Sequence, residues 1–175
     1  MDLTELCQKA DQAIVQMRVL GCGGDGIVYN LDDHAVLKLF NGYYDRCYRK
    51  GNSQTAAEYE YGVGRDLFDH QAQVPEFYGL YQHRGPLRCY ISRWWDNYYF
   101  CEEKSHWGII MQRINGGDVS YSDNVREAER QFTKQLSLAQ ALGYKPRDVS
   151  LNVNTLFDPN QNKLYLIDFT RWEKK

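Results

Sequence analysis

A lysine inside an apolar run is the first residue of this chain whose surroundings point to chemistry. Lys38 lies within HAVLKLF, which alternates like a β-strand and places Val36, Lys38 and Phe40 on one face. A lysine in such a strand destabilises the fold unless its ammonium group is paired. The partner could be an acidic side chain or an anionic ligand, and at a sheet edge the ammonium group could instead reach water.

The acidic partner of Lys38 should come from the helix that follows in the sequence. Glu58 and Glu60 are both available in TAAEYEYGVGRDLFDHQ. Glu60 shares a helical stripe with Val63, Gly64 and Leu67, whereas Glu58 shares its face with Tyr61, Gly62 and Arg65. We therefore prefer Glu60, with Glu58 as the alternative and a solvated surface charge as the simplest other interpretation.

A glycine-rich segment precedes the Lys38 strand. GCGGDGIVY, residues 21–29, fits the pattern G-x-G-x-x-G-x-V. In a dinucleotide fingerprint such glycines open a helix, but here a β-branched, alternating run follows, so the glycines lie between two strands. Glycines in this arrangement let backbone N–H groups approach phosphate oxygens, although a plain glycine hairpin has the same pattern. The candidate nucleotide-binding residues are Gly21, Gly23, Gly24, Gly26 and Val28.

These features together resemble the start of a protein kinase domain. In that superfamily a lysine of the third strand contacts the phosphates of ATP and a glutamate of the next helix orients it, which are the roles implied for Lys38 and Glu60. IIMQRINGG is similar to the fifth strand and hinge. The resemblance implies that Met111 is the gatekeeper and that backbone groups of Gln112 and Ile114 bind adenine.

Two later motifs resemble the catalytic part of the same superfamily. YKPRDVSLNVNTLF is similar to the loop H-R-D-x-x-x-x-N, with Asp148 as the acid that orients the attacking hydroxyl group. Asn154 is our preferred amide ligand, in a loop with one extra residue, and Asn152 is the alternative. LYLIDF followed by Thr170 resembles the D-F-G element, which implies that Asp168 and the asparagine hold Mg²⁺ through hard oxygen ligands.

The elements that must position these residues are predicted from hydrophobic periodicity. We expect helices over Leu3 to Met17, Thr55 to His70 and Asp123 to Ala141, and strands in Val19 to Asn30, HAVLKLF, PEFYGLYQH, WGIIMQRI and the hairpin NTLFDPNQNKLYLIDF. This order predicts an α+β fold. With the resemblance, it implies one two-lobed, protein-kinase-like domain over 1–175, with a β-rich N-lobe of about 18–114 and a strongly reduced helical C-lobe of about 118–175.

Composition limits the remaining classes of function. The chain has 175 residues, 43% of them hydrophobic, and a formal net charge of -2 at pH 7. This charge gives no global attraction for nucleic acid or an anionic membrane, so we predict neither as a partner. No apolar run is long enough to span a bilayer, and the first residues lack a cleavable signal peptide pattern. The five scattered cysteines indicate free thiols in a reducing compartment.

Few residues follow Phe169, where an ordinary protein kinase continues into an activation segment and further helices. In this respect, and in its PRDVSLNVN loop, the chain resembles the minimal protein kinases of the bacterial type III secreted effector class, and most of all the HopBF family. The resemblance implies an ATP- and Mg²⁺-dependent Ser/Thr protein kinase that is secreted into the host cell cytoplasm. It further implies a monomer that phosphorylates a folded host protein, the eukaryotic heat-shock protein 90 chaperone.

Other interpretations remain open at this stage. The chain could be a pseudokinase-type binding module, or an effector kinase that acts with ubiquitin-conjugating enzymes. A candidate surface for a protein partner is the aromatic cluster of Trp94, Trp95, Tyr98, Tyr99 and Phe100 beside Arg88 and Arg93, because these residue types dominate binding hot spots. The same cluster could equally be core packing.

Overall fold

The computed structural model describes residues 2–22, 26–40, 52–85, 105–117, 119 and 124–174. The chain divides into two compact units, the first from Met1–Tyr61 and Tyr78–Gln112, the second from Gly62–Phe77 and Arg113–Lys175. In the described part of the chain the helices are α1 (Leu3–Val15), α2 (Ser53–Asp69) and α3 (Val125–Ala141). The strands are β1 (Val19–Cys22), β2 (Gly26–Asn30), β3 (Ala35–Phe40), β4 (Phe77–Arg84), β5 (Ser105–Gln112), β6 (Tyr144–Lys145), β7 (Thr155–Asp158), β8 (Lys163–Leu166) and β9 (Glu173–Lys174).

A five-stranded antiparallel sheet in the order β1-β2-β3-β5-β4 forms the centre of the first unit. All six residues of β3 are buried, so both faces of this strand are covered. Leu37 and Leu39 belong to the core that contains Leu6 and Ala10 of α1. Because side chains alternate along a strand, α1 covers one face of the sheet and Lys38 lies on the opposite face.

Local sequence explains where α1 and α2 begin and where α1 ends. The Asp2 carboxylate accepts a hydrogen bond from the Thr4 N–H group at 3.0 Å, and Asn52 Oδ1 accepts one from the Thr55 N–H group at 3.0 Å. Both are N-terminal caps that satisfy otherwise unpaired amides. Met17 has a φ of 52°, in the left-handed region that a helix cannot contain, so α1 ends at Val15 and not at Met17 as predicted.

The second unit contains α3 and the β7–β8 hairpin. The hairpin pairs Thr155 with Leu166 and Asp158 with Lys163 in a continuous antiparallel register. Asp158 Oδ1 accepts hydrogen bonds from the N–H groups of the turn residues Asn160, at 2.9 Å, and Gln161, at 3.2 Å. This side-chain contact fixes the turn, and the hairpin has the position predicted from the sequence.

The buried face of α3 differs from the apolar stripe that its sequence shows. The apolar residues of the predicted helix are Val125, Phe132, Leu136, Ala139 and Leu142, whereas the buried ones are Ala128, Gln131, Gln135 and Ala139. The two glutamines are buried because they bind backbone groups. Gln131 Oε1 accepts from the Leu164 N–H group at 2.9 Å, and Gln135 Oε1 accepts from the Gln73 N–H group at 2.8 Å.

A second, very short sheet pairs β6 with β9, with Tyr144 opposite Lys174 and Lys145 opposite Glu173. Strands of two residues carry no readable alternation, so this pairing was not predicted. It attaches the residues after Phe169 to the segment that precedes Asp148.

The predicted mixed α+β class is confirmed by the five-stranded sheet and the helices of the described residues. None of the helices in this part of the chain combines the length and the apolar character needed to cross a membrane. Cys7 and Cys22 are free thiols. Gly23, Gly24, the three remaining cysteines and the aromatic cluster from Arg88 to Phe100 lie outside the described residues.

Candidate phosphoryl-transfer site

Lys38 and Glu60 form a buried ion pair in the first unit. Lys38 Nζ donates hydrogen bonds to both carboxylate oxygens of Glu60, at 2.9 and 2.8 Å, and lies 4.9 Å from the centroid of the Phe40 ring. The exposed fractions of the two side chains are 8% and 1%. The pair predicted from the sequence is therefore present, whereas Glu58 is exposed and accepts a hydrogen bond from Gln54 at 2.8 Å.

The position of Glu60 follows from the way α2 is attached to the sheet. The Trp107 N–H group of β5 donates a hydrogen bond to Ser53 Oγ, at 3.2 Å, in the first turn of α2. Ser53, Ala57 and Glu60 are buried at helical spacing. Because β5 is the neighbour of β3, this stripe carries the Glu60 carboxylate to the sheet face that contains Lys38.

The described part of the glycine-rich segment has a structural role of its own. A Cβ atom on Gly26 would lie 2.1 Å from the carbonyl oxygen of Leu39, so β2 and β3 approach too closely for any other residue. Among the described residues, its two chain neighbours aside, Gly21 has no atom within 4 Å of the corresponding position. Val28 is paired directly with Lys38. Contacts of Gly21, Gly26 and Val28 with a nucleotide remain predictions.

The residues predicted to surround adenine lie at and after the end of β5. Met111 is paired with Val36 and Gln112 with Ala35. Directly opposed residues of antiparallel strands lie on the same sheet face, so Met111 shares the face of Val36 and hence of Lys38. Ile114 is half-buried in the second unit. The gatekeeper role of Met111 and the backbone roles of Gln112 and Ile114 remain predictions.

The β7–β8 hairpin brings Asn154 and Asp168 to its open end. Asn154 immediately precedes β7, and its carbonyl oxygen accepts a hydrogen bond from the Ile167 N–H group at 2.9 Å. Asn154 and Asp168 both have a left-handed backbone, with φ of 58° and 61°. This conformation is uncommon for residues other than glycine and is frequent at functional sites. The Asn154 amide and the Asp168 carboxylate thus lie at or next to the backbone pair of Asn154 and Ile167.

Asn154 also binds the loop that contains Asp148. Its Nδ2 atom donates a hydrogen bond to the carbonyl oxygen of Asp148 at 2.7 Å. Asn152, the alternative ligand, is exposed within a tight turn that two hydrogen bonds close between Ser150 and Val153, at 3.1 and 3.0 Å. The geometry therefore favours Asn154 as the amide that acts beside Asp168.

The Asp148 carboxylate is held by a residue that the sequence analysis missed. Arg171 donates a hydrogen bond to Asp148 Oδ2 at 2.6 Å, and both side chains are partly exposed, at 37% and 47%. Asp148 has a φ of 55°, a left-handed backbone like that of Asn154 and Asp168. The guanidinium group fixes one carboxylate oxygen, and a carboxylate can accept further hydrogen bonds on the other.

Thr170, which replaces the glycine of the D-F-G pattern, contacts the candidate metal ligand. Its hydroxyl group donates a hydrogen bond to Asp168 Oδ1 at 2.8 Å. Phe169 is fully buried, with its ring centroid 6.3 Å from that of Phe77 and 5.0 Å, edge-on, from that of Trp172. The available sequence signal for this anchored segment was a pair of polar residues between two aromatic residues, Phe169 and Trp172.

A polar network holds the last strand against α2. Tyr144 Oη and Lys174 Nζ both donate hydrogen bonds to Asp66 Oδ2, the latter at 2.7 Å. The hydrogen bond from Lys174, and then that from Tyr144, lowers the pKa of Asp66. Burial, and then the hydrogen bond to Asp66, raises the pKa of Tyr144 to about 12. The contacts with Asp66 therefore favour its ionised carboxylate.

The donor atoms of Asp168 and Asn154 fit the ligand preference of Mg²⁺. Asp168 and Asn154 offer carboxylate and amide oxygens, which Mg²⁺ accepts while water and phosphate oxygens complete its octahedron. Within the described ranges, no group of three or more His, Cys, Asp and Glu side chains could hold a metal ion.

The fold as it stands defines a mixed α+β protein whose second unit gathers two carboxylates and one amide. No protein-family model matches the chain, and a search of curated proteins found no significant match.

Proposed function

We propose that this protein is an ATP- and Mg²⁺-dependent Ser/Thr protein kinase with a two-lobed, protein-kinase-like fold. The observation that carries the proposal is the buried ion pair of Lys38 and Glu60. Burying two opposite charges costs several kcal/mol per ion, and well-packed apolar residues often stabilise a core equally well or better. A buried lysine and glutamate in an otherwise apolar sheet are therefore better explained by a function of the ammonium group than by stability.

Each residue would have a defined task in the reaction. Lys38, oriented by Glu60, would contact the phosphates of ATP, and Asp168 and Asn154 would hold Mg²⁺, which supplies positive charge to the transferring phosphoryl group. Asp148 would accept the hydrogen of the acceptor hydroxyl group. The hydroxyl oxygen then bonds to the γ-phosphorus, the bond from that phosphorus to ADP breaks, and the proton leaves through Asp148.

The second unit supports this assignment through chain order and local geometry. The acid of the loop, the amide and the second acid follow Lys38 and Glu60 in the order of a protein kinase. One hydrogen bond links Asn154 to Asp148, and one hairpin rung links Asn154 to the residue before Asp168. A pseudokinase would have no need to retain all three side chains in this arrangement.

The proposed substrate and location rest on the resemblance to secreted minimal kinases, above all in the PRDVSLNVN loop. We propose a bacterial effector that enters the host cytoplasm through a type III system and phosphorylates the eukaryotic heat-shock protein 90, which inactivates this chaperone. Lys38, Asp148 and Asp168 support phosphoryl transfer, and they do not identify the acceptor protein.

The decisive experiment is incubation of the purified protein with a eukaryotic lysate, Mg²⁺ and ATP labelled at the γ-phosphate. We expect a labelled band of the size of heat-shock protein 90, and no band with Asp168→Ala. Asp69→Ala serves as the matched control, because Asp69 is an exposed residue of the last turn of α2, and it should label like the wild type.

Each other outcome of this experiment has a different meaning. A different labelled band would retain the kinase and discard the chaperone as substrate. Label only from α-labelled ATP would indicate transfer of AMP. If the protein binds ATP but labels neither itself nor any lysate protein, the kinase proposal is wrong and a binding module remains.

A further inference from the structure

We propose that the five residues after Phe169, Thr170 to Lys174, position both candidate acids of the site, with Thr170 orienting Asp168 and Arg171 orienting Asp148. This inference rests on the proposed phosphoryl-transfer function. Thr170 and Arg171 are positioning residues, because each acts on the reaction through an acid and neither is placed in contact with the reacting atoms.

The contact from Arg171 determines which carboxylate oxygen of Asp148 can act. Arg171 binds Oδ2 at 2.6 Å, and a carboxylate bound on one oxygen can rotate less about its side-chain bonds. Oδ1 can then accept the acceptor hydroxyl group in a fixed direction. Positioning matters because a misplacement of about 1 Å in a reacting group can lower the rate roughly 10²-fold.

The contact from Thr170 has the same effect on the candidate metal ligand. The hydroxyl group binds Asp168 Oδ1 at 2.8 Å. Partners that hydrogen-bond to a metal-ligating carboxylate orient it, and their loss typically lowers metal affinity about 10- to 100-fold. Thr170 therefore takes up a task that a glycine in this position could not perform.

The segment can orient two acids because it is itself attached along its length. Trp172 is 1% exposed and packs edge-on against Phe169. Glu173 and Lys174 pair with β6, and Lys174 binds Asp66. Glu173 accepts a hydrogen bond from Arg147, the neighbour of Asp148, at 2.9 Å. The positions of Thr170 and Arg171 are therefore fixed by the residues that follow them.

The left-handed backbone of both acids makes this support necessary. Asp148 and Asp168 have φ of 55° and 61°, and such positions are strained for residues with a side chain. They persist where surrounding contacts determine the conformation. Arg171 and Thr170 supply such contacts, one for each acid.

The test for Arg171 compares Arg171→Met and Arg171→Lys with wild type, with γ-labelled ATP and purified eukaryotic heat-shock protein 90 as acceptor. We expect Arg171→Met to lower kcat about 10²-fold, with KM for ATP within about twofold of wild type, and Arg171→Lys to recover part of kcat. Arg130→Met is the matched control, because Arg130 forms an exposed ion pair with Glu127 on α3, and its kcat should be unchanged.

The test for Thr170 uses binding, so that it does not depend on turnover. We expect Thr170→Val to weaken Mg²⁺-dependent binding of a non-hydrolysable ATP analogue about 10- to 100-fold by titration calorimetry, and Thr170→Ser to restore it. The matched control is Thr133→Val, because the Thr133 hydroxyl group donates a hydrogen bond to the Glu129 carbonyl oxygen on the exposed face of α3, at 3.0 Å.

The outcomes separate this inference from the function on which it rests. A wild-type protein that labels neither the chaperone nor any lysate protein overturns the proposed function, and the inference with it. An active wild type whose Arg171→Met variant keeps full kcat, or whose Thr170→Val variant binds the analogue normally, overturns the inference alone. A lost kcat that Arg171→Lys does not recover, together with a lowered unfolding temperature, would assign Arg171 a structural role and would also overturn it.

Discussion

Removing the Lys38 ammonium group should lower the free energy of unfolding and abolish phosphoryl transfer. The side chains of Lys38 and Glu60 are 8% and 1% exposed and share two hydrogen bonds. An exposed ion pair contributes about 0–1 kcal/mol, but breaking a buried pair on one side costs roughly 3–5 kcal/mol because a charge stays in the core without its partner. Lys38→Met keeps the volume of the side chain and removes only its charge.

The expected change in unfolding temperature follows from this free energy. For a protein of 150–250 residues, each kcal/mol lowers the unfolding temperature by about 2–4 °C. Lys38→Met, or Glu60→Leu, should therefore lower it by roughly 6–20 °C. Lys9→Met is the matched control, because Lys9 lies in an ion pair with Asp32 and its side chain is 33% exposed, and it should leave the unfolding temperature nearly unchanged.

The double variant Lys38→Met with Glu60→Leu separates stability from function. It removes both charges, so its free energy of unfolding should return to within about 1 kcal/mol of wild type, or exceed it. The coupling energy, which is the difference between the double variant and the sum of the single ones, should then be at least about 5 kcal/mol. Transfer of labelled phosphate should remain absent in all three variants.

The assays are urea denaturation and phosphate transfer on the same samples. A double variant as unstable as the single ones would show that the ion pair of Lys38 and Glu60 itself stabilises the fold, so that no function is needed to explain it. A stable single variant, or near wild-type transfer by any of the three, would refute the role of Lys38 that carries the proposed function.

Three further predictions concern the scaffold of the site. Asp66→Asn should lower the free energy of unfolding at pH 7 by about 1–2 kcal/mol. Because the folded-state pKa of Asp66 lies below its ordinary 3.8, the ionised carboxylate stabilises the fold above pH 3.8, and this stabilisation is lost as the pH falls through the folded-state pKa. Thermal unfolding from pH 7 to pH 2 should therefore show the difference between variant and wild type vanish at low pH. Gln131→Leu removes the acceptor of the Leu164 N–H group and should cost about 1–3 kcal/mol in urea denaturation. Gln140→Leu on the exposed face of α3 should be nearly neutral, and equal effects of the two variants would contradict the role of Gln131. Gly26→Ala should cost about 3 kcal/mol or more, because its Cβ atom would lie 2.1 Å from a backbone oxygen. Thermal unfolding followed by circular dichroism checks this, and an unchanged unfolding temperature would exclude the close approach of β2 and β3.

The parts of the site that could be predicted from the sequence are those that depend on local periodicity. Glu60 could be distinguished from Glu58 because only Glu60 shares a helical stripe with apolar residues. The Asn154–Asp168 hairpin could be located because two apolar runs flank turn residues. In both cases the information lies within one helix or one hairpin.

The features that the sequence did not reveal depend on partners far along the chain. Gln131 and Gln135 are buried because backbone groups of the hairpin and of residue 73 face α3, and a stripe of apolar residues cannot show this. Arg171 and Asp148 are separated by 23 residues, and β9 has only two residues. The contact of Arg171 with Asp148 and the pairing of β9 form only in the folded chain, so no local pattern in the sequence can indicate them.

The continuous attachment of residues 168–174 has a consequence for how this protein can vary. Surface loops usually accept insertions and deletions, but here every residue of the segment is paired, buried or bound to a neighbour. Adding one residue before Glu173 would exchange the inward and outward faces of β9 and separate Lys174 from Asp66. The length of this segment should therefore be as strongly constrained during evolution as the identity of its acids, so that homologues would differ here by substitution and hardly ever by insertion.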